Sequence, residues 1–154
     1  MYFDIIVKES EGKFHINIEY DINFDLSIVG IGIDIERVDR FKMHLDQANA
    51  RFFQRLFSSA EIDYCMAKKH PELHFTARFC AKEAFVKACA NEEKFKITDI
   101  QVQKDGDKPH IAIWQKETCS KALLDFFKSR TVMLSLSHSQ DYACAQVIIQ
   151  NKQG

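Results

Sequence analysis

The sequence contains little of what marks fibrous, linker-rich or membrane-spanning chains. Its 154 residues include five glycines and two prolines, too few for a collagen-like or linker-dominated protein. The 21 basic and 22 acidic side chains give a net charge of −1, which argues against a nucleic-acid coat or a polybasic membrane binder. No uncharged stretch approaches the ~18 residues of a membrane span. We therefore expect neither nucleic acid nor a membrane as a partner.

Disulfide pairs and a secretion signal are also missing from the pattern. The five cysteines form no CxxC pair and are odd in number, which disfavours a disulfide framework. Asp4, Lys8 and Glu9 place charges where a signal peptide would have its apolar block. Together these features predict reduced thiols in a cytoplasmic protein.

Hydrophobic residues make up 46% of the chain, and their spacing predicts one α+β domain. The first 20 residues are expected to form a β-hairpin from strands 3–7 and 14–20, turning at Gly12. Further along, the pattern predicts helices near 38–45, 58–69, 72–90 and 117–128, and two hairpins from strands 97–103 with 109–114 and 132–138 with 142–149.

Residues 26–35 form a nearly continuous apolar strand, which predicts burial on both faces. Its Gly30 and Gly32 indicate that another backbone or a helix packs closely against it. Asp34 is the one ionisable residue within 27–35, and an unpaired buried carboxylate is costly. We therefore expect Asp34 to be paired, to cap the helix that follows or to bind a cation. A strand-end Asp near a Glu and several cations suits Mg²⁺ on a phosphorylated ligand.

The helix predicted over 72–90 has two apolar faces, with its charges confined to the edges between them. Arg78 and Lys82 are like charges four residues apart, which repel unless an anion lies between them. Glu83 and Lys87 have the favourable order for an ion pair. Salt-bridged edges with Lys82 in water are the structural interpretation, and an anion-binding site is the functional one. The two apolar faces are a stripe of Ala77, Ala81, Ala84 and Ala88 and, opposite it, Phe75, Phe79 and Val86.

His138 lies at the end of a predicted strand, between Ser137 and Ser139. A strand-end histidine is more often a surface or hydrogen-bonded residue than a catalytic one. The neighbouring hydroxyl groups nevertheless form a polar cluster that can bind phosphate oxygens.

Three segments, in this order, resemble the holo-[acyl-carrier-protein] synthase family, the small 4′-phosphopantetheinyl transferases. They are GIGIDIERVDR at 30–40, ARFCAKEAFVKA at 77–88 and LSHSQDYACAQV at 136–147. The shorter matches KDGDKP at 104–109 and FSSAE at 57–61 also fit. The resemblance implies a 4′-phosphopantetheinyl transferase-like fold, an antiparallel sheet with a long packed helix, over residues 28–150. Residues 1–27 are then an N-terminal hairpin extension.

The resemblance also implies a reaction, the transfer of 4′-phosphopantetheine from coenzyme A to a serine of an apo acyl carrier protein. Adenosine 3′,5′-bisphosphate would be released. By the family pattern, Asp34 and Glu83 would hold Mg²⁺ on the pyrophosphate of coenzyme A, and Lys87 would lie by the bridging or leaving phosphate. Metal and cations would stabilise the negative charge that builds on the leaving phosphate. The phosphate oxygens would be held by Arg78, Lys82 and His138, with Ser139 beside them.

The resemblance leaves the general base open, and it also implies a docking surface and an oligomeric state. The base that removes the serine proton could be Glu83, a metal-bound water or a group of the carrier protein. Arg40 is implied to face the acidic carrier protein, and Arg37 and Lys42 on the same helix are expected to join it. The family's short form is a homotrimer that binds coenzyme A between subunits, and the chain length fits that form.

The chain departs from the family pattern in the loop that follows Ala90. Residues 91–96 contain no glycine, and Glu92 and Glu93 would repel phosphate. This loop favours an alternative, a non-catalytic relative that binds carrier protein. A third hypothesis is a Mg²⁺-dependent phosphodiesterase that uses Asp34, Glu83 and Lys87, although a nuclease usually has a basic surface.

Overall fold

A computed structural model of the chain describes the backbone of residues 3–10 and 13–20, and residues 28–89, 95–106, 108–114 and 119–152 in full. Within these ranges strands and helices occur in separate runs along the chain, as expected for an α+β domain. In chain order the elements are β1 (Phe3–Ser10), β2 (Lys13–Tyr20), β3 (Ile28–Arg37), α1 (Val38–Asp46), α2 (Ala50–Leu56), α3 (Ser59–Met66), α4 (Pro71–Ala88), a 3₁₀ turn (Ile97–Asp99), β4 (Ile100–Asp105), β5 (Lys108–Ile113), α5 (Lys121–Ser129), β6 (Arg130–His138) and β7 (Tyr142–Asn151).

All the strand pairs that the structure describes are antiparallel. A three-stranded sheet has the order β3-β7-β6, and two hairpins are formed by β1 with β2 and by β4 with β5. The three predicted strand pairs are therefore confirmed. The turn predicted at Gly12 and residues 91–94 of the glycine-free loop lie outside the described residues.

Helix α4 packs directly on the three-stranded sheet, as the small residues predict. A Cβ atom added at Gly30 would overlap the carbonyl oxygen of Ala88, and one at Gly32 would overlap that of Ala84. On the other side of the helix, Phe75 is fully buried and Phe79 is nearly so. The helix is thus covered on both apolar faces, and its two flanks carry the charged residues of the candidate site.

Strand β3 is buried on one face only, which corrects the prediction of burial on both. Its outer residues Ile31, Ile33 and Ile35 are 59%, 65% and 67% exposed. The prediction failed because glycine and isoleucine alternate along β3, so both faces are apolar in sequence. Helix α4 covers the glycine face, and no described element of the chain covers the isoleucine face.

The helices confirm most predictions and correct three of them. The capping box of Ser58 and Glu61 is present, but α3 ends at Met66 rather than near residue 69. Helix α2 was not predicted. In α5, Leu123 is buried as expected. Leu124 and Phe127 were also predicted to face inwards but are only partly buried, and Phe126 is buried instead.

Two further observations concern membrane-spanning helices and the cysteines. No helix in the described part of the chain is long and apolar enough to cross a membrane. The five cysteines carry thiols and form no disulfide.

Candidate active site

Asp34 lies on the inner face of β3, opposite Ala145 of β7 and towards α4. The side chain is only 14% exposed, and Lys87 Nζ donates to Asp34 Oδ1 at 2.7 Å and to the Ile33 carbonyl at 3.1 Å. The buried carboxylate is therefore paired, across the interface between strand and helix. The capping interpretation of Asp34 is wrong, because the N-cap of α1 is Arg37 and no side chain caps it.

Glu83 lies one turn before Lys87 on α4, close enough to Asp34 for their charges to interact. Burial raises the pKa of Glu83, and the negative charge of Asp34 raises it further, while Lys87 and Arg40 oppose both effects. The hydrogen bond that Lys87 donates to Asp34 raises the pKa of Lys87. Two carboxylates and one ammonium group thus share a site in which a second cation would relieve the repulsion between the acids.

The side chains fit a Mg²⁺ ion that a ligand helps to hold, but not a metal cage made by the protein alone. Among the described residues, no group of three or more His, Cys, Asp or Glu side chains could hold a metal ion. Mg²⁺ is usually bound by one or two carboxylates plus substrate phosphate oxygens and water. The carboxylate pair of Asp34 and Glu83 matches that donor set.

A second charged region, which we call the cationic cluster, consists of His74, Arg78 and His138 with Lys68 and Lys104. Arg78 is 5% exposed, its guanidinium lies 3.9 Å from the ring centre of Tyr64, and its Nε atom has no hydrogen-bond partner among the described residues. The rings of His74 and His138 are 6.0 Å apart. Burial lowers the pKa of His74, and the charges of the other four members lower it further. Such a concentration of positive charge favours an anionic ligand.

Ser139 lies next to this cluster but is engaged in the turn between β6 and β7. Its backbone N–H donates to the Tyr142 carbonyl at 2.7 Å, and its hydroxyl accepts from the Tyr142 N–H at 3.3 Å. The hydroxyl also donates to the Tyr142 carbonyl at 3.4 Å, and because the side chain is exposed, a ligand would compete with that carbonyl for the hydroxyl proton.

Lys82 follows Arg78 by one turn of α4, and the positive charge of Arg78 acts on its ammonium group. Its ammonium is fully buried, 2.9 Å from Glu61 Oε2 and 2.7 Å from the Leu56 carbonyl that accepts its hydrogen bond. This placement disagrees with the expected role in holding phosphate, because a buried ammonium already paired with a carboxylate has no face open to a ligand. The burial of Lys82 also contradicts the structural interpretation, which placed this side chain in solvent.

The three cations expected to face a carrier protein are exposed on or beside α1, and each is paired with a nearby acid. Arg37 pairs with Asp39 at 2.5 Å and Lys42 with Asp46 at 2.9 Å. Arg40 pairs with Glu36 and also stacks over the ring of Phe79, 5.0 Å from its centre. Arg37 and Lys42 line a groove of about 800 Å³ beside the β6–β7 turn. Arg40 is nearer the carboxylate pair, since its charge acts on Glu83.

Sequence reasoning missed three residues that the structure brings into these regions. His74 precedes Arg78 by four residues on α4, so helical spacing was a signal that could have found it. Tyr64, under the guanidinium of Arg78, comes from α3 and had no such signal. Glu61 was predicted only as a helix cap, although it is also the partner of Lys82.

Comparison with known proteins gives consistent matches over the same residues. A family model described as the 4′-phosphopantetheinyl transferase superfamily matches residues 30–147. The chain is 38% identical over 126 residues to the holo-[acyl-carrier-protein] synthase of Geobacter metallireducens, covering 80% of this chain and 98% of that protein. It also resembles the crystal structure of a holo-(acyl-carrier-protein) synthase from Bacillus anthracis in complex with CoA (3′,5′-ADP), with 31% identity and a TM-score of 0.62 over 81% of this chain and 98% of that one. The holo-[acyl-carrier-protein] synthase of Helicobacter pylori in complex with coenzyme A gives 27% identity and a TM-score of 0.62 over 78% and 99%.

Proposed function

The chain belongs to the 4′-phosphopantetheinyl transferase superfamily, and we propose that it transfers 4′-phosphopantetheine from coenzyme A to a serine of an apo acyl carrier protein. Adenosine 3′,5′-bisphosphate is the second product. The observation that carries this proposal is the convergence of Asp34, Glu83 and Lys87 where α4 crosses β3. The solved relatives with coenzyme A bound support the choice of donor.

In this proposal Asp34 and Glu83 hold Mg²⁺ against the pyrophosphate of coenzyme A. The ion, when bound, neutralises charge on the phosphate oxygens and so favours departure of the leaving group. Lys87 is half-exposed, and within the described part of the chain its ammonium donates to Asp34 and to the Ile33 carbonyl. It can therefore turn from Asp34 towards the leaving phosphate as the substrate arrives, which places its positive charge where negative charge develops.

The cationic cluster binds phosphate oxygens of coenzyme A. Arg78 and His138 do so directly, with Ser139 beside them and His74 as a further member. The buried guanidinium of Arg78 is preorganised by Tyr64, and its Nε proton is available for a hydrogen bond. A phosphate oxygen would satisfy that buried donor, which is costly to leave unpaired.

The carrier protein docks beside α1, where Arg40, Arg37 and Lys42 meet its acidic residues. Since all three cations already have acidic partners in the free chain, the carrier competes for them. Exposed charges of this kind mainly raise the association rate and are screened by salt. The groove beside Arg37 and Lys42 gives the partner a concave surface to enter.

The chain assembles as a homotrimer, with residues 28–150 as the transferase domain and residues 1–27 as an extension. The exposed isoleucine face of β3 supports assembly, because a monomer rarely leaves such an apolar sheet face in water. A site completed by a neighbouring subunit would also explain why the phosphate-binding and carboxylate groups form two separate regions in one chain.

The decisive experiment is mass spectrometry of an apo acyl carrier protein after incubation with the chain, coenzyme A and Mg²⁺. We expect a mass increase of one 4′-phosphopantetheine group, which should be lost when the acceptor serine is replaced by alanine. An unmodified carrier that still binds the chain would favour the non-catalytic alternative. Hydrolysis of coenzyme A without carrier modification would favour the phosphodiesterase.

A further inference from the structure

A buried ion pair joins α4 to the elements on its non-sheet side. Lys82 and Glu61 have side chains that are 0% and 2% exposed, with Lys82 Nζ 2.9 Å from Glu61 Oε2. The rings of Phe57 and Trp114 each have their centres 5.3 Å from Lys82 Nζ. No substrate group can reach this ammonium in the present arrangement, so its charge serves the protein itself.

The pair ties four segments of the chain together through directed bonds. Glu61 Oε2 accepts from the Ser58 N–H at 2.9 Å, and Glu61 Oε1 accepts from the Val102 N–H at 2.9 Å. Lys82 Nζ donates to the Leu56 carbonyl at the end of α2. The end of α2, the start of α3, strand β4 and helix α4 thus meet at one carboxylate and one ammonium.

Stability alone does not require charged residues at this place. Burial lowers the pKa of Lys82, and the negative charge of Glu61 opposes that shift. A buried ion pair can often be replaced by well-packed apolar residues without loss of stability. Apolar residues would not fix the relative orientation of these elements, because a hydrogen bond constrains both a distance and an angle, whereas an apolar contact does not.

We propose that Glu61 and Lys82 are positioning residues for the transferase site, an inference that rests on the proposed function. Lys82 immediately precedes Glu83, so a rotation or slide of α4 that moves one moves the other. On the sheet side, α4 meets Gly30 and Gly32 of the strand that carries Asp34. The ion pair therefore sets the orientation in which α4 presents Glu83 to Asp34. A displacement of 1 Å in such a site can lower a rate by about 100-fold.

The test is a double variant, Glu61→Leu with Lys82→Met, which leaves no uncompensated charge in the interior. Thermal unfolding reports the fold, and Mn²⁺ binding in the presence of coenzyme A, followed by electron paramagnetic resonance, reports the carboxylate pair without requiring turnover. We expect a folded chain whose unfolding midpoint is lowered by the loss of the bonds to Ser58, Val102 and Leu56, with a Kd for Mn²⁺ raised about tenfold and a kcat lowered by about ten- to 100-fold. The KM for carrier protein should not change. Asp125→Leu with Lys128→Met, an exposed pair on α5, is the matched control.

Each outcome decides the proposal. A folded double variant with unchanged Mn²⁺ affinity and unchanged kcat would overturn it and leave the pair a role in folding only. Absence of a measurable Mn²⁺ site in the parent chain with coenzyme A present would overturn it as well. If the parent chain fails to transfer, the proposed function is lost, and the Mn²⁺ titration alone still decides the positioning role. Should the double variant not fold, Glu61→Gln with Lys82→Met keeps a hydrogen-bonding side chain for the same titration.

Discussion

The two faces of strand β3 differ in the size of their side chains, and the larger side chains lie on the exposed face. On β3 the covered inner face carries Gly30, Gly32 and Asp34, while the outer face carries isoleucines that are more than half exposed. On the neighbouring strand β7, the covered inner face carries Ala143 and Ala145 and also the fully buried Val147 and Ile149. The reversal is therefore confined to β3, whose large side chains lie where the described chain does not cover them.

The two faces of β3 therefore differ in function. The small inner residues let the backbone of α4 approach closely, so that Lys87 reaches Asp34 across the interface. The large outer residues do not contribute to that contact, and burying an aliphatic side chain is worth about 1.5–3 kcal/mol. The inner face therefore forms the site, and the outer face is available for assembly with other copies of the chain.

Overfilling the inner face should produce the largest effect. In Gly32→Val the new side chain meets the Ala84 carbonyl and the Ala88 N–H, which are backbone atoms that cannot rotate away. We expect a loss of about 3 kcal/mol in the free energy of unfolding, the upper range for overpacking. Denaturant titration measures it, with Ile31→Val on the outer face as a control expected to cost about 1 kcal/mol or less. A Gly32→Val chain as stable as the parent would show that α4 can move away from the sheet.

Charging the outer face should disrupt assembly without unfolding the chain. Ile33→Arg places a guanidinium in the centre of the exposed isoleucine row, and a buried unpaired charge at an interface is strongly unfavourable. We expect sedimentation equilibrium to give a monomer for this variant and a trimer for the parent chain. Met66→Arg, at an exposed methionine on α3, is the control. A parent chain that is monomeric and fully active would contradict both the trimer and a shared site.

Removing a carboxylate from the inner face should abolish transfer at little cost to the fold. Asp34→Ala and Glu83→Ala each delete a proposed metal ligand. Because the partner Lys87 is half-exposed, the lost ion pair should cost about 1 kcal/mol or less. Turnover at saturating Mg²⁺, measured together with thermal unfolding, tests this prediction against Asp125→Ala on α5 as control. Normal turnover in either variant would eliminate the metal-site proposal.

A charge reversal at the edge of the inner face should have a smaller and more selective effect. Arg40 is paired with Glu36 on that face and is exposed towards solvent. Arg40→Glu should raise the apparent KM for carrier protein and leave the Kd for coenzyme A unchanged, with a difference that shrinks as salt increases. Steady-state kinetics and calorimetry measure the two constants. An equal effect on coenzyme A would place Arg40 in the nucleotide site.

The smallest effect that we expect is a shift in the pH at which kcat/KM falls. Burial and Asp34 raise the pKa of Glu83, so this carboxylate takes up a proton at a higher pH than an ordinary glutamate. A protonated Glu83 cannot serve as a metal ligand, and kcat/KM should therefore fall as the pH decreases through that raised pKa. The pH profile of the parent chain measures it. A profile that stays flat down to the usual glutamate range would contradict the assignment of Glu83.

Local rules were sufficient for much of the fold. The capping box of Ser58 and Glu61 begins α3 where sequence spacing predicts it, because a cap depends on residues only three apart. The β6–β7 hairpin and the start of α4 at Pro71 follow equally from nearby residues. The glycines of β3 also predicted close packing correctly, since a missing Cβ has a direct steric meaning.

The partners of charged groups could not be predicted in the same way. Lys87 pairs with Asp34, which is 53 residues distant in sequence, although helical spacing had suggested Glu83. Lys82 pairs with Glu61, which sequence spacing had assigned only to the cap of α3. In both cases several acids were available along the chain, and only the packing of α4 brought one of them within bonding distance.

Residue type and short-range spacing were enough to predict most of the elements in order, the close contact of α4 with β3 and the family that the motifs resemble, although not helix α2. The packing of remote segments is what buries Lys82, brings His74 beside Arg78 and His138 and leaves the isoleucines of β3 facing outwards. Burial and charge pairing are properties of distance in space, and residues remote in sequence set that distance only when the helices and the sheet have packed.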